Sequence, residues 1–197
     1  MMFILSSLGR TLFAGFLVLG LIILAIGGNF SAAEFPFLMR WLHVMVAMMW
    51  VGLLWYFNFV QIPSMSKIPD EQKPAITKVI APTALFWFRW SALLTVLTGL
   101  ILAVVNGYAH QAFTLQVPFR AIGLGMWIAL LMAFNVWFII WPNQKRALGI
   151  VAAEPQVKAK SARLAMLTSR FNTLLSIPML FLMVAQSWNR TWFVLIT

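Results

Sequence analysis

The chain has 197 residues, 62% of them hydrophobic and only 9% charged, which is too little charge to cover a soluble domain of this length. It holds no cysteine, and this excludes disulfides, thiolate metal sites and a cysteine nucleophile. The formal net charge of +10 lies in short segments between apolar runs, an arrangement that points to anionic membrane lipid as a partner and not to nucleic acid.

Five stretches reach the roughly 20 apolar residues that a hydrocarbon core of about 30 Å demands. The fold class expected is therefore all-α, a polytopic transmembrane bundle of about five helices forming one membrane domain over 1–197. The first span is predicted at 11–28. Arg10 before it and Ser31-Ala32-Ala33 after it imitate a signal peptide, but the run is longer than a signal core and is expected to stay as a span. The second span is predicted at 37–60 and the third at 84–105. Between them, the loop 61–83 carries Pro63, Pro69, Pro74 and Pro82 and should be broken into short pieces. The fourth span, 119–141, carries Ala121, Gly125, Ala129 and Ala133 at spacing four, a seam for close approach of another helix. The loop 142–170 should hold an interfacial helix, with Pro155 at its first position and Lys158, Lys160 and Arg163 facing headgroups. The fifth span, 171–188, contains Pro178, which should kink it. Trp41, Trp141, Trp188 and Trp192 fall where an aromatic belt belongs.

With five spans, eleven Lys and Arg fall on the side of the N-terminus and three (Arg40, Arg120 and Arg190) on the other. The positive-inside rule places the N-terminus in the cytoplasm and the C-terminus outside.

Polar residues inside hydrocarbon are costly and mark function or packing. In the second span His43, Ala47, Trp50, Leu54, Asn58 and Gln61 share one helical face, which must turn inward or toward a partner chain. His43 has two readings: an inward histidine bonded to a hydroxyl or carbonyl, or an axial ligand of haem iron. Arg40, Arg120 and Arg190 lie at a similar depth, where they either snorkel to headgroups or meet haem propionates. His110, in the loop on the same side, and Met183, in the fifth span, are the other conceivable ligands. A second polar group gathers at the opposite end: Asn58, Gln61, Asn135, Asn143, Gln144, Arg170, Asn172 and Ser176. It is either interhelical hydrogen bonding or a site for a small polar ligand such as a quinone headgroup. The four acids, Glu34, Asp70, Glu71 and Glu154, all lie in loops, so an intramembrane proton relay has no carboxylate.

Three segments carry a family resemblance: RWLHVMVAMMWVGLLWYFNFVQIP (40–63), NVWFIIWPNQKRALG (135–149) and SRFNTLLSIPMLFLMVAQS (169–187). Together they resemble the membrane domain of the PuuD family, the membrane-bound urate hydroxylases. His43 and Trp50 also match the L-H-V-x-x-x-x-x-W pattern of small haem b membrane proteins. The resemblance implies a multi-pass protein of the bacterial inner membrane whose electrons leave toward a periplasmic cytochrome c. In long relatives that cytochrome is a C-terminal domain; this is a short form, with no haem c attachment motif in its sequence. Relatives carry histidines where this chain has Phe171 and Ser187-Trp188. The function expected is a haem b-type electron-transfer subunit with His43 on the iron, Trp50 beside it and Arg40, Arg120 and Arg190 on the propionates. The alternatives are a non-catalytic accessory subunit of a larger membrane complex, and a urate-oxidising membrane component.

Overall fold

The computed structural model describes residues 2–28 and 32–185, and all regular structure among them is helical. Arg190, Trp188 and Trp192 lie outside the described residues. Five helices are long and apolar enough to cross a membrane: α1 Leu8–Ala25, α2 Phe35–Ser64, α3 Ala75–Val105, α4 Arg120–Ala147 and α5 Pro155–Ala185. The chain divides into two compact units, 1–37 and 38–197. In the first, α1 has no charge after Arg10, whose guanidinium lies 4.0 Å over the Phe3 ring.

In the second unit, α2 to α5 form a bundle joined by short connections, which makes chain neighbours antiparallel. Each helix runs past its predicted span. α2 continues through Pro63, and α3 already begins at Ala75, so the connection expected over 61–83 shrinks to 65–74. The interfacial helix expected before the fifth span is not separate. The helix that starts at Pro155 runs without interruption to Ala185 and is the first half of α5. Pro155 has the first helical position, where its missing N–H costs nothing, and its charged residues simply continue the apolar helix beyond the hydrocarbon. Gly107 (φ 73°) and Gly149 (φ 74°) end α3 and α4 in the left-handed region, which a side chain would disfavour.

Three π-helical turns interrupt the bundle: Tyr56–Gln61 in α2, Ala75–Ile80 in α3 and Asn135–Ile140 in α4. Each ends two residues before a proline, namely Pro63, Pro82 and Pro142. A proline ring inside a helix collides with the carbonyl four residues back. Here those carbonyls belong to Phe59, Lys78 and Phe138, each inside a π turn. The wider turn moves the carbonyl aside, and the helix continues past the proline instead of breaking.

The core is built from the inward face of α2, with Trp50 and Leu54 fully buried, against Leu85 and Phe88 of α3, Met132 and Val136 of α4 and Met179 of α5. The small-residue row of α4 is buried. A side chain at Gly125 would stand 3.2 Å from Leu182 Cβ and 3.4 Å from Met183 Cε, so the row packs against α5 as the spacing predicts. Met183 is thereby a packing residue of the α4–α5 seam. Gly123 does the same for the short helix Ala109–Phe113, whose Ala112 carbonyl lies directly against it. Replacing Gly125 by Leu drives a side chain into Leu182 and should destabilise the bundle by about 1–3 kcal/mol. Reversible unfolding in mixed micelles measures this; an unchanged midpoint would contradict the seam.

Candidate functional site

At the end of the bundle that holds Arg40 and Arg120, His43 of α2 lies half-buried against α3. Its Nδ1 is 3.1 Å from Thr98 Oγ1. The hydroxyl proton of Thr98 is already committed, because Oγ1 donates to the Leu94 carbonyl at 2.6 Å. Thr98 therefore accepts, and His43 Nδ1–H donates. The Thr95 backbone is a second hydrogen-bond partner of the ring. A neutral imidazole protonated on Nδ1 carries its free lone pair on Nε2, the atom that a metal takes. Space for the ring comes from Gly99: a Cβ there would lie 2.9 Å from His43 Cε1 and 3.3 Å from Nδ1. Thr98 and Gly99 escaped the sequence reading, although the row Ser91, Thr95 and Thr98 follows helical spacing and marks the inward face of α3.

The other residues expected around a cofactor are distributed differently. Trp50 lies two turns further along α2, fully buried in the core, with no partner for its Nε1–H. Arg40 is exposed and reaches Tyr108 electrostatically. Burial raises the Tyr108 hydroxyl above the ordinary phenol range, and the Arg40 charge pulls it part-way back. Arg120 is exposed, and its Nε donates to the Leu115 carbonyl at 3.2 Å. His110 is exposed in the short helix after α3. Phe171, at the position where relatives of the resembled family carry histidine, faces outward from α5.

The polar residues expected at the opposite end separate into distinct contacts. Asn172 of α5 is completely buried and accepts from Asn135 Nδ2 at 2.8 Å; its own Nδ2 donates to the Met132 carbonyl at 2.9 Å. Asn58 Nδ2 reaches the Leu54 carbonyl at 2.9 Å and Ser169 Oγ at 2.8 Å. Thr77 Oγ1 donates to the Lys73 carbonyl at 3.1 Å. Each of these carbonyls precedes a π turn, where the i→i+4 pattern is lost and a side-chain donor takes over. Ser176, another residue of the expected group, accepts from Trp55 Nε1 at 3.0 Å and ties α5 to α2. Asn143 bonds only its own helix, at the Ile139 carbonyl, and Arg170 is exposed.

Gln61 and Gln144 meet across a cavity of about 210 Å³ whose walls come from α2, α3, α4 and α5, with Thr77 and Ser169 among its lining. Both glutamines keep a buried Oε1 without a partner. The lining contains no histidine and no carboxylate, so it offers hydrogen bonds but no proton acceptor for catalysis. No group of three or more metal-ligating side chains occurs among the described residues.

Residues 108–194 match the family model Urate oxidase N-terminal. This is consistent with the PuuD-like membrane domain that the three motifs resemble, and it takes in the second and third of them. The first motif, with His43, lies outside the matched segment. No curated protein and no solved structure matches the chain.

Proposed function

We propose that this chain is a membrane-embedded haem b-type electron-transfer subunit, with His43 Nε2 as the axial ligand. The observation that supports it is the contact of His43 Nδ1 with Thr98 Oγ1, whose own proton goes to the Leu94 carbonyl, an arrangement that favours the Nδ1–H tautomer. Metal-bound histidines ordinarily have their second nitrogen tied in this way. Arg40 and Arg120 supply positive charge at the same end of the bundle, suited to propionates. Haem, when bound, supplies one-electron chemistry; the chain's own part is to orient the imidazole and seat it against Gly99. A cytochrome c partner would take the electron on the periplasmic side, with the basic opposite end of the bundle on the cytoplasmic side as the positive-inside rule suggests.

A second reading is an accessory subunit that keeps the fold without the cofactor, favoured by Phe171, which stands outward-facing where relatives of the resembled family carry histidine. Urate oxidation with a separate cytochrome partner is a third reading that rests on the family likeness alone.

Optical and pyridine-haemochrome spectra of the purified protein separate the first two readings. The haem reading expects a b-type signal that His43→Ala abolishes. Thr98→Val should lower haem retention about tenfold, as loss of an outer-shell partner does. Gly99→Ala should do likewise by pushing the ring from its seat. A featureless spectrum from well-folded wild-type protein leaves the accessory reading standing.

Because the chain has no cysteine, single-cysteine variants report sidedness without background. Gln116→Cys should react with an impermeant maleimide in intact cells, and Glu71→Cys only after permeabilisation. The reverse pattern would invert the proposed orientation.

A further inference from the structure

Arg89 is a cation within α3, the only charge between Lys78 and the end of that helix at Val105. Its guanidinium carbon lies 3.4 Å over the Trp141 ring of α4, and Lys145 Nζ is 5.6 Å from the same ring. Its Nε and Nη1 are buried and have no hydrogen-bond partner. The helices α2, α3, α4 and α5 contain no Asp or Glu, and Arg89 has no ion pair among the described residues. A cation taken from water and left without an anion is among the costliest arrangements in a membrane protein.

One turn further along α4, Trp137 Nε1 is also a buried donor without a partner, and its ring meets Trp90 edge-on at 5.6 Å. From Trp137 an apolar groove of about 440 Å³ runs between α3 and α4, past Leu93 and Val96 on one side and Ala133 and Phe134 on the other. Its outer edge, at Phe134 and Phe138, is exposed. Arg89, Leu93 and Val96 follow one face of α3, while Trp141, Trp137 and Phe134 follow the facing side of α4.

We propose that this face binds one phospholipid with an anionic headgroup. The unmet groups are all donors, two of them on a cation, so the ligand must be an acceptor and negative where it meets Arg89. A phosphodiester suits the guanidinium. The groove beyond Trp137 takes an acyl chain, and the aromatic face of Trp141 holds Arg89 in position at its end.

The test is competition in native mass spectrometry. The purified full chain is offered equal amounts of phosphatidylglycerol and phosphatidylcholine with identical acyl chains. The proposal expects the wild type to retain phosphatidylglycerol about tenfold over phosphatidylcholine, the scale of one or two charge-assisted hydrogen bonds. Arg89→Gln should retain both alike, and Leu93→Trp, which fills the groove from the α3 side, should lose phosphatidylglycerol while Arg89 remains. Excess inorganic phosphate should not displace the lipid. Equal retention by the wild type overturns the proposal without reference to any variant. An unchanged preference in Arg89→Gln also overturns it, as does full displacement by phosphate, which would indicate an anion site with no use for the acyl chain.

Discussion

Inside hydrocarbon a polar group has only the protein to bond with, and this constraint organises the bundle. Three prolines deprive α2, α3 and α4 of regular helical hydrogen bonds at one end. The π turns relieve the collision, and Asn58, Thr77 and Asn172 then donate to carbonyls ahead of those turns. Two of these donors also join helices, Asn58 to Ser169 and Asn172 to Asn135. What began as a backbone defect has thereby become the set of contacts that fixes how α5 lies against α2 and α4.

The same rule governs the histidine end with a different result. Ser91, Thr95 and Thr98 each return their hydroxyl proton to their own helix, which satisfies α3 internally and leaves oxygen lone pairs facing inward. His43 meets one of them, and its tautomer follows. The ring then seats against Gly99, with Thr98 Oγ1 at Nδ1 and the Thr95 backbone as its second partner. A ligand needs a held Nδ1–H together with a free Nε2. The two polar ends thus differ in kind. One consists mostly of closed amide contacts, with the oxygens of Asn58, Gln61 and Gln144 left over, and the other presents a prepared nitrogen.

Much of this was legible in the sequence because it depends on local composition. Apolar length gave the spans, spacing four gave the seam at Gly125, and 100° per residue gave the inward face of α2 from His43 to Gln61. What was hidden depends on pairing between helices. The cluster read as one polar group is several separate contacts, and Asn143 joins none of them, because a face does not reveal which residue stands opposite. The division of α5 into an interfacial helix and a span failed for a different reason. A change from charged to apolar residues looks like a boundary, yet helix propensity does not change there and no breaker intervenes between Pro155 and Pro178. Pro63 and Pro82 were visible but read as loop signals, and Pro142 stood at the edge of the loop predicted from 142. Whether a proline ends a helix or is absorbed by a π turn depends on a side-chain donor near the turn, from the same helix at Asn58 and Thr77 and from a neighbouring helix at Asn172.

The central claim is that His43 is held as the Nδ1–H tautomer with Nε2 free. Nitrogen-15 spectroscopy of cofactor-free protein labelled at histidine tests it directly, since the chain has only two histidines and a His110→Gln variant assigns them. The account predicts a protonated Nδ1 and an unprotonated Nε2 for His43, reversed or mixed when Thr98 is replaced by Val. A His43 protonated on Nε2 in the wild-type protein would contradict it and remove the basis for a metal at this site.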